Sequence, residues 1–262
     1  MLNYEIYDNK KEDWVVFIHG IGGSTLTWKR QIKDFSKKYN LLLLDLQGHG
    51  KSYFDEEVTV KSVNDSIKEI LDHLNIKKAD FVGMSLGTLV IAQFAIKYPQ
   101  YITSIVFGGA VIQVGGIYKI AMRIANGIKY VLPTRATYKM FANIIIPAKW
   151  HEKSRIIFLR ESEKLRRKTF LSWVKYLNAA TNPKKILDKL KALNIKVLFI
   201  SGDRDICFIK SVKKVARYIN TAKLKVIDAC GHVCTIEKYK EFNYNALIFL
   251  NNIHIQRTAL SP

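Results

Sequence analysis

Cysteine is scarce in this 262-residue chain: Cys207, Cys230 and Cys234 are the three present. So few, and an odd number, argue against a disulfide framework and point to a reducing compartment, with cytoplasmic localisation the expectation. No apolar run reaches the roughly 18–20 residues that span a bilayer. The opening stretch MLNYEIYDNKKEDW has no apolar segment behind a basic one, which argues against a signal peptide. Linkers rich in Pro, Ser or Gly are absent, as are low-complexity tracts and solenoid-spaced repeats. One domain is therefore expected, with room for an inserted subdomain. Acidic residues are also few, 22 against 42 Lys+Arg, for a formal charge of +20. That imbalance bears on solubility and acidic partners, not on fold. A general bias toward Lys, Ile and Asn accounts for part of it.

What is present is a large apolar fraction, 48% of residues, enough for a substantial core. It is divided into short runs: WVVFIHG (14–20), NLLLLDL (40–46), DFVGMS (80–85), ITSIVFGG (102–109), IKVLFISGD (195–203) and LKVID (224–228). Most are nearly continuous in Val, Ile, Leu and Phe, as in parallel strands covered on both faces. Amphipathic helical patterns lie between them, at about 25–38, 62–75, 87–98, 210–219 and 237–251. This alternation predicts an α/β fold with a mostly parallel central sheet and helices on both faces. Such sheets hold their ligand site at the carboxyl ends of the strands. His19-Gly20, Asp45, Ser85, Asp203 and Asp205 cluster there. Between about 111 and 185 the pattern is helix-like throughout. The expected organisation is a core of 1–110 and 186–262 with a helical cap or lid inserted at 111–185.

Within FVGMSLGTLV (81–90), Ser85 stands between Gly83 and Gly87, where a buried strand gives way to a helix. Small neighbours let a chain bend sharply there without clashes. The turn lifts the serine oxygen above the sheet edge, beside the first amides of the next helix, where an oxyanion could rest. Gly83-Met84-Ser85-Leu86-Gly87 thus reads as a nucleophile elbow. A serine at neutral pH needs a base, and in this architecture the order is Ser, acid, His. Two histidines follow a plausible acid. His254 lies in NNIHIQRTALSP, read as a solvated tail beyond the last helix. His232, in ACGHVCTIE after the LKVID strand, is the expected base. For the acid, Asp203 and Asp205 compete in ISGDRDICF. Asp203 abuts Gly202 and suits the turn, whereas Asp205 lies farther out and is preferred. The oxyanion donors are expected to be the Leu86 amide and the Ile21 amide, the latter in the loop His19–Ser24. GIGGST lacks the spacing of a dinucleotide cradle and the lysine of a phosphate loop, so no cofactor site is expected.

These residues together resemble the α/β-hydrolase superfamily over about 2–109 and 186–254. FIHGIGGS is similar to its oxyanion loop, LDLQGHGKS (44–52) to its D-x-x-G-H-G-x-S segment and GMSLG to its elbow. SGDRD resembles its acid-bearing strand, and GHVCTIE its histidine loop. The resemblance implies a cofactor-free hydrolase of the serine type with a helical cap, and gives His49 and Ser52 a place in a structural turn. Two departures are visible. Ile206-Cys207-Phe208-Ile209 stand where relatives have a proline after the acid, and the N-terminal hairpin is shortened. Serine at the elbow disfavours dehalogenase and epoxide-hydrolase chemistry, which in relatives needs aspartate there.

The cap segment is disproportionately basic: 111–185 holds sixteen Lys+Arg and three acids, +13 of the +20. Positions 117, 120, 121, 124, 128 and 131 form an apolar stripe at helical spacing, with Lys119, Arg123 and Lys129 off it. The stripe suits either a cap helix packed over the site or a cationic helix on an anionic membrane or acidic substrate. EKLRRKTF (163–170) reads as a solvated face or an anion-binding patch. Cys230, His232 and Cys234 lack zinc-site spacing and a fourth ligand, so no metal is expected. No nucleic-acid recognition module is visible. The leading expectation is an esterase, lipase or thioesterase acting on a small-molecule substrate with a hydrophobic acyl group. The alternatives are cofactor-free C–C bond hydrolysis or perhydrolysis by the same residues, or a ligand- or membrane-binding protein on this scaffold.

Overall fold

The computed structural model describes residues 1–111, 165–180 and 183–259, with scattered positions between 127 and 160. Seven strands form one sheet: β1 (Tyr4–Tyr7), β2 (Trp14–Ile18), β3 (Asn40–Leu44), β4 (Ala79–Met84), β5 (Ile102–Gly108), β6 (Lys196–Gly202) and β7 (Ala222–Ile227). Their order is β1-β3-β2-β4-β5-β6-β7. All neighbouring pairs are parallel except β1 with β3. The six strands expected from the apolar runs are present. β1 is the addition, and it supplies a single antiparallel edge strand where the sequence indicates a shortened hairpin.

Helices cover both faces. α1 (Lys29–Phe35) and α8 (Tyr239–Ala259) lie on one side; α2 (Val60–His73), α3 (Leu86–Lys97), α5 (Pro183–Ala192) and α6 (Ile209–Tyr218) lie on the other. The two-residue period of each strand sorts its side chains between these layers. Val15 and Phe17 join Trp28, Phe35, Phe242 and Leu250 on the first side. Val16 and Ile18 join Ile67, Ile91, Phe94 and Val212 on the second. The pattern expected over 25–38 divides into a short 3-10 turn, Thr25–Trp28, and α1. Among the described residues, no helix is long and apolar enough to cross a membrane.

The expectation for the C-terminal segment is corrected here. The last helix does not stop near 251 but runs to Ala259, after a separate turn α7 (Cys234–Glu237). His254 is therefore a helix residue and not a solvated tail residue. Its ring lies between Asp80 and Asp13, at 2.6 Å from the Asp80 carboxylate and 2.9 Å from that of Asp13. Asp80 is fully buried and also accepts from the Ser104 hydroxyl at 2.6 Å. The basic stretch after Glu163 is a solvated face, as expected, with Arg166, Arg167 and Lys168 exposed. It opens α4 (Arg167–Ala180), and Arg166 and Lys168 both pair with Asp55 at 3.1 and 3.2 Å, while Lys175 pairs with Glu57. Thr169, Phe170 and Trp173 of α4 are buried.

α5 crosses the second boundary of the cap expected at 111–185 and packs against α3. The stripe 117–131, with Lys119, Arg123 and Lys129, lies outside the described residues.

Candidate active site

Chain direction reverses at the centre of the sheet. β2 connects leftward to β3, while β4 connects rightward to β5. The carboxyl ends of β2 and β4 therefore face one crevice, the usual ligand position in such sheets. Ser85 directly follows β4 there. Its backbone has φ +52° and ψ −118°, a conformation costing of order 1–3 kcal/mol for a residue with a side chain. The surroundings over-determine it. The Ser85 N–H donates to Gly108 O at 3.0 Å, and Ser85 O accepts from the Thr88 N–H and, at 2.6 Å, from the Thr88 hydroxyl. The Thr88 oxygen in turn accepts from the Val111 N–H.

The flanking glycines serve close approach; neither has positive φ. A Cβ on Gly87 would lie 2.1 Å from Ile18 O, and one on Gly83 would meet Ile91 Cδ1 at 2.6 Å. Their absence lets α3 press against β2 and β4. Gly87→Ala is expected to destabilise the protein by about 1–3 kcal/mol through overpacking. A lower urea midpoint at unchanged slope would record it.

His232 and Asp205 reach the same point from the far half of the chain. Ser85 Oγ is 2.9 Å from His232 Nε2, and His232 Nδ1 is 3.0 Å from Asp205 Oδ2. Both partners are buried, with side chains 3% and 1% exposed. With Asp205 accepting from Nδ1–H, Nε2 is free to accept the serine proton. The Phe208 ring packs against the imidazole, centroids 4.9 Å apart. Asp203 has a role not expected from its place at the turn: its carboxylate accepts the Cys230 N–H at 3.1 Å and ties the acid loop to the histidine loop.

Gly20 faces the serine; a Cβ there would lie 3.1 Å from Ser85 Cβ. The Ile21 amide follows it directly. Leu86 is the first residue of α3, so its N–H has no partner within the helix. The loop carrying Ile21 is held by two buried histidines. His19 Nε2 accepts the Leu46 N–H at 3.0 Å, and His49 Nε2 accepts the Gly22 N–H at 3.0 Å. Each ring donates from Nδ1 to a carbonyl, Gly20 O and Gln47 O respectively, which fixes both as neutral. Burial holds the His49 pKa well below its ordinary value. Asp45 completes the brace, accepting from the Thr25 and Lys51 amides and from Asn3 Nδ2. Ser52 donates to Asp45 O at 2.7 Å. From α4, Trp173 donates to Gln47 O at 2.9 Å. Thr88, His19 and Trp173 have no local sequence signal for these roles, because every partner except Ser85 and Gly20 is remote in the chain.

Cys230 and Cys234 sit in the core beneath the histidine loop, in one cluster with Ile200 and Phe242. Burial raises both thiol pKa values, as it raises that of Cys207 to about 11. All three thiols are therefore poor nucleophiles at neutral pH.

The family model of the alpha/beta hydrolase fold matches residues 13–129. A 3-oxoadipate enol-lactonase of Acinetobacter baylyi is 25% identical over 253 residues, covering 92% of this chain and 90% of its own. A 2-hydroxy-6-oxononadienedioate/2-hydroxy-6-oxononatrienedioate hydrolase of Paraburkholderia phymatum is 29% identical over 258 residues, covering 91% and 87%. A carboxylesterase structure from Nitrososphaera gargenis superposes with a TM-score of 0.83 at 22% identity, covering 97% and 96%. The chain has the alpha/beta hydrolase fold and is similar to proteins of that superfamily along most of its length. It is an enzyme of that fold.

Proposed function

We propose that this enzyme is a serine hydrolase that cleaves a carboxylic ester or thioester through an acyl-enzyme on Ser85. The observation that carries the reading is the hydrogen-bonded series from Ser85 Oγ through His232 to Asp205, at 2.9 and 3.0 Å. Ser85 Oγ attacks the acyl carbon as His232 Nε2 takes its proton. The oxyanion rests on the Leu86 and Ile21 amides. Collapse expels the alcohol or thiol, protonated by His232. A water deprotonated by the same ring then attacks the acyl-enzyme and releases the acid. Asp205 orients the imidazole and stabilises its cationic form without taking the proton.

The relatives favour two refinements. An enol-lactone is a cyclic ester, so the Acinetobacter relative's name supports ester cleavage. Both relatives' names contain dicarboxylates, which suits a chain of charge +20 whose 111–185 segment carries +13. An acidic acyl substrate drawn by a basic cap is therefore preferred over contact with an anionic membrane. The name of the Paraburkholderia relative supports a second reading, C–C bond hydrolysis of a dienedioate by the same three residues.

A substrate panel separates the readings: p-nitrophenyl esters from short to long, a thioester, an enol-lactone and a 2-hydroxy-6-oxo-dienedioate. Ester, thioester or lactone turnover at least tenfold above that of the dienedioate is expected; the reverse order would select the C–C reading.

A further inference from the structure

We infer that Glu237 is a positioning residue for His232, an assignment that rests on His232 being the base of the proposed reaction. Glu237 closes the four-residue turn α7, and its carboxylate reaches back over the histidine loop. One oxygen, Oε2, accepts the Gly231 N–H at 2.7 Å; the other, Oε1, accepts the Val233 N–H at 3.3 Å. These are the amides immediately before and after His232. Among the described residues no other side chain takes either amide.

The geometry has a specific consequence. Pinning the amides of Gly231 and Val233 fixes the peptide units around the His232 Cα, and hence the direction in which its side chain leaves the loop. Val233 is held from both ends, because Val233 O also accepts the Glu237 N–H at 3.0 Å. The arrangement is related to a capping box, in which a glutamate near the start of a helix reaches back to the preceding backbone N–H. Here it takes an additional amide, and a charged acceptor makes both bonds stronger than neutral ones. The other ties of this loop act at Cys230: its N–H goes to Asp203, and its carbonyl accepts the Arg204 N–H. They set the distance between acid and histidine loops. Glu237 alone holds the amides next to the base.

A displaced base slows proton transfer far more than it weakens binding, and about 1 Å of misplacement can cost about 10²-fold. Glu237→Gln keeps the shape but has one acceptor oxygen, so it can satisfy one amide well. The experiment is the rate constant for covalent labelling by a fluorophosphonate, with Glu237→Gln, Glu237→Asp and Glu241→Gln compared with wild type. Glu241 is the control, an exposed carboxylate 3.9 Å from Lys238. A rate constant reports the active fraction whatever its size, so partial unfolding lowers the extent of labelling and not the rate. Glu237→Gln is expected to label about tenfold more slowly, and to lower kcat with KM unchanged on the best ester. Glu237→Asp, which retains both oxygens, should fall between it and wild type; Glu241→Gln should match wild type. Wild-type labelling rates in Glu237→Gln, with only the extent or melting temperature reduced, would make Glu237 a structural residue and overturn the assignment. A wild type that takes no label would instead overturn the hydrolase reading, and the assignment with it.

Discussion

Ser85→Ala is expected to lower kcat on the best ester by about 10⁴-fold or more, with KM near wild type. The substitution removes one oxygen and leaves the backbone braces in place, since Thr88 bonds the Ser85 carbonyl and Gly108 accepts the Ser85 amide. No second nucleophile stands ready among the described residues that surround it. The nearby cysteines are buried with raised pKa values, and the imidazoles of His19 and His49 are committed to the loop. His232→Ala should cost a comparable factor, and the double substitution little more than either alone, because the two side chains act as one unit. Additive losses would mean that serine and histidine serve separate steps.

The second large effect is on stability. His254→Ala is expected to cost about 3 kcal/mol near pH 6, because it leaves the fully buried Asp80 without its cationic partner. Burial pulls the His254 pKa down, but the hydrogen bond that its ring donates to Asp80 and the charges of Asp80 and Asp13 outweigh it, so the net direction is upward. Arg257 opposes them on the same helix, and the Tyr39 ring packs alongside, 5.7 Å away. A raised folded-state pKa fixes the sign. The contribution is present in full below the unfolded value of about 6.5 and is lost as pH rises through the folded value. Urea midpoints of wild type and His254→Ala should therefore differ most near pH 6 and less near pH 9. An equal difference at both would remove the charged state from the explanation.

The elbow was legible because its chemistry is local. Gly83, Ser85 and Gly87 are spaced by the turn itself, and the chain order serine, acid, histidine left few candidates. Asp205 could be preferred over Asp203 because one residue abuts the turn and the other reaches beyond it. The central strands were legible because burial on both faces makes them continuous in Val, Ile, Leu and Phe. β1 carried no such signal: it is a four-residue edge strand, mostly half-buried, with Glu5 inside it. His254 was misplaced because its partners Asp80 and Asp13 lie far away in the chain, and NNIHIQRTA has the polarity of a tail. Glu237, Thr88 and the His19–His49 brace bind backbone amides and carbonyls, groups that every residue carries and that leave no trace in composition.

The central claim is that Ser85 is a nucleophile activated by His232. Peptide mapping by mass spectrometry after fluorophosphonate treatment tests it most directly. The expected result is one adduct per chain, on the peptide containing Ser85, and none when His232 is replaced by alanine. An adduct on another residue, or labelling of Ser85 at the same rate without His232, would contradict the account.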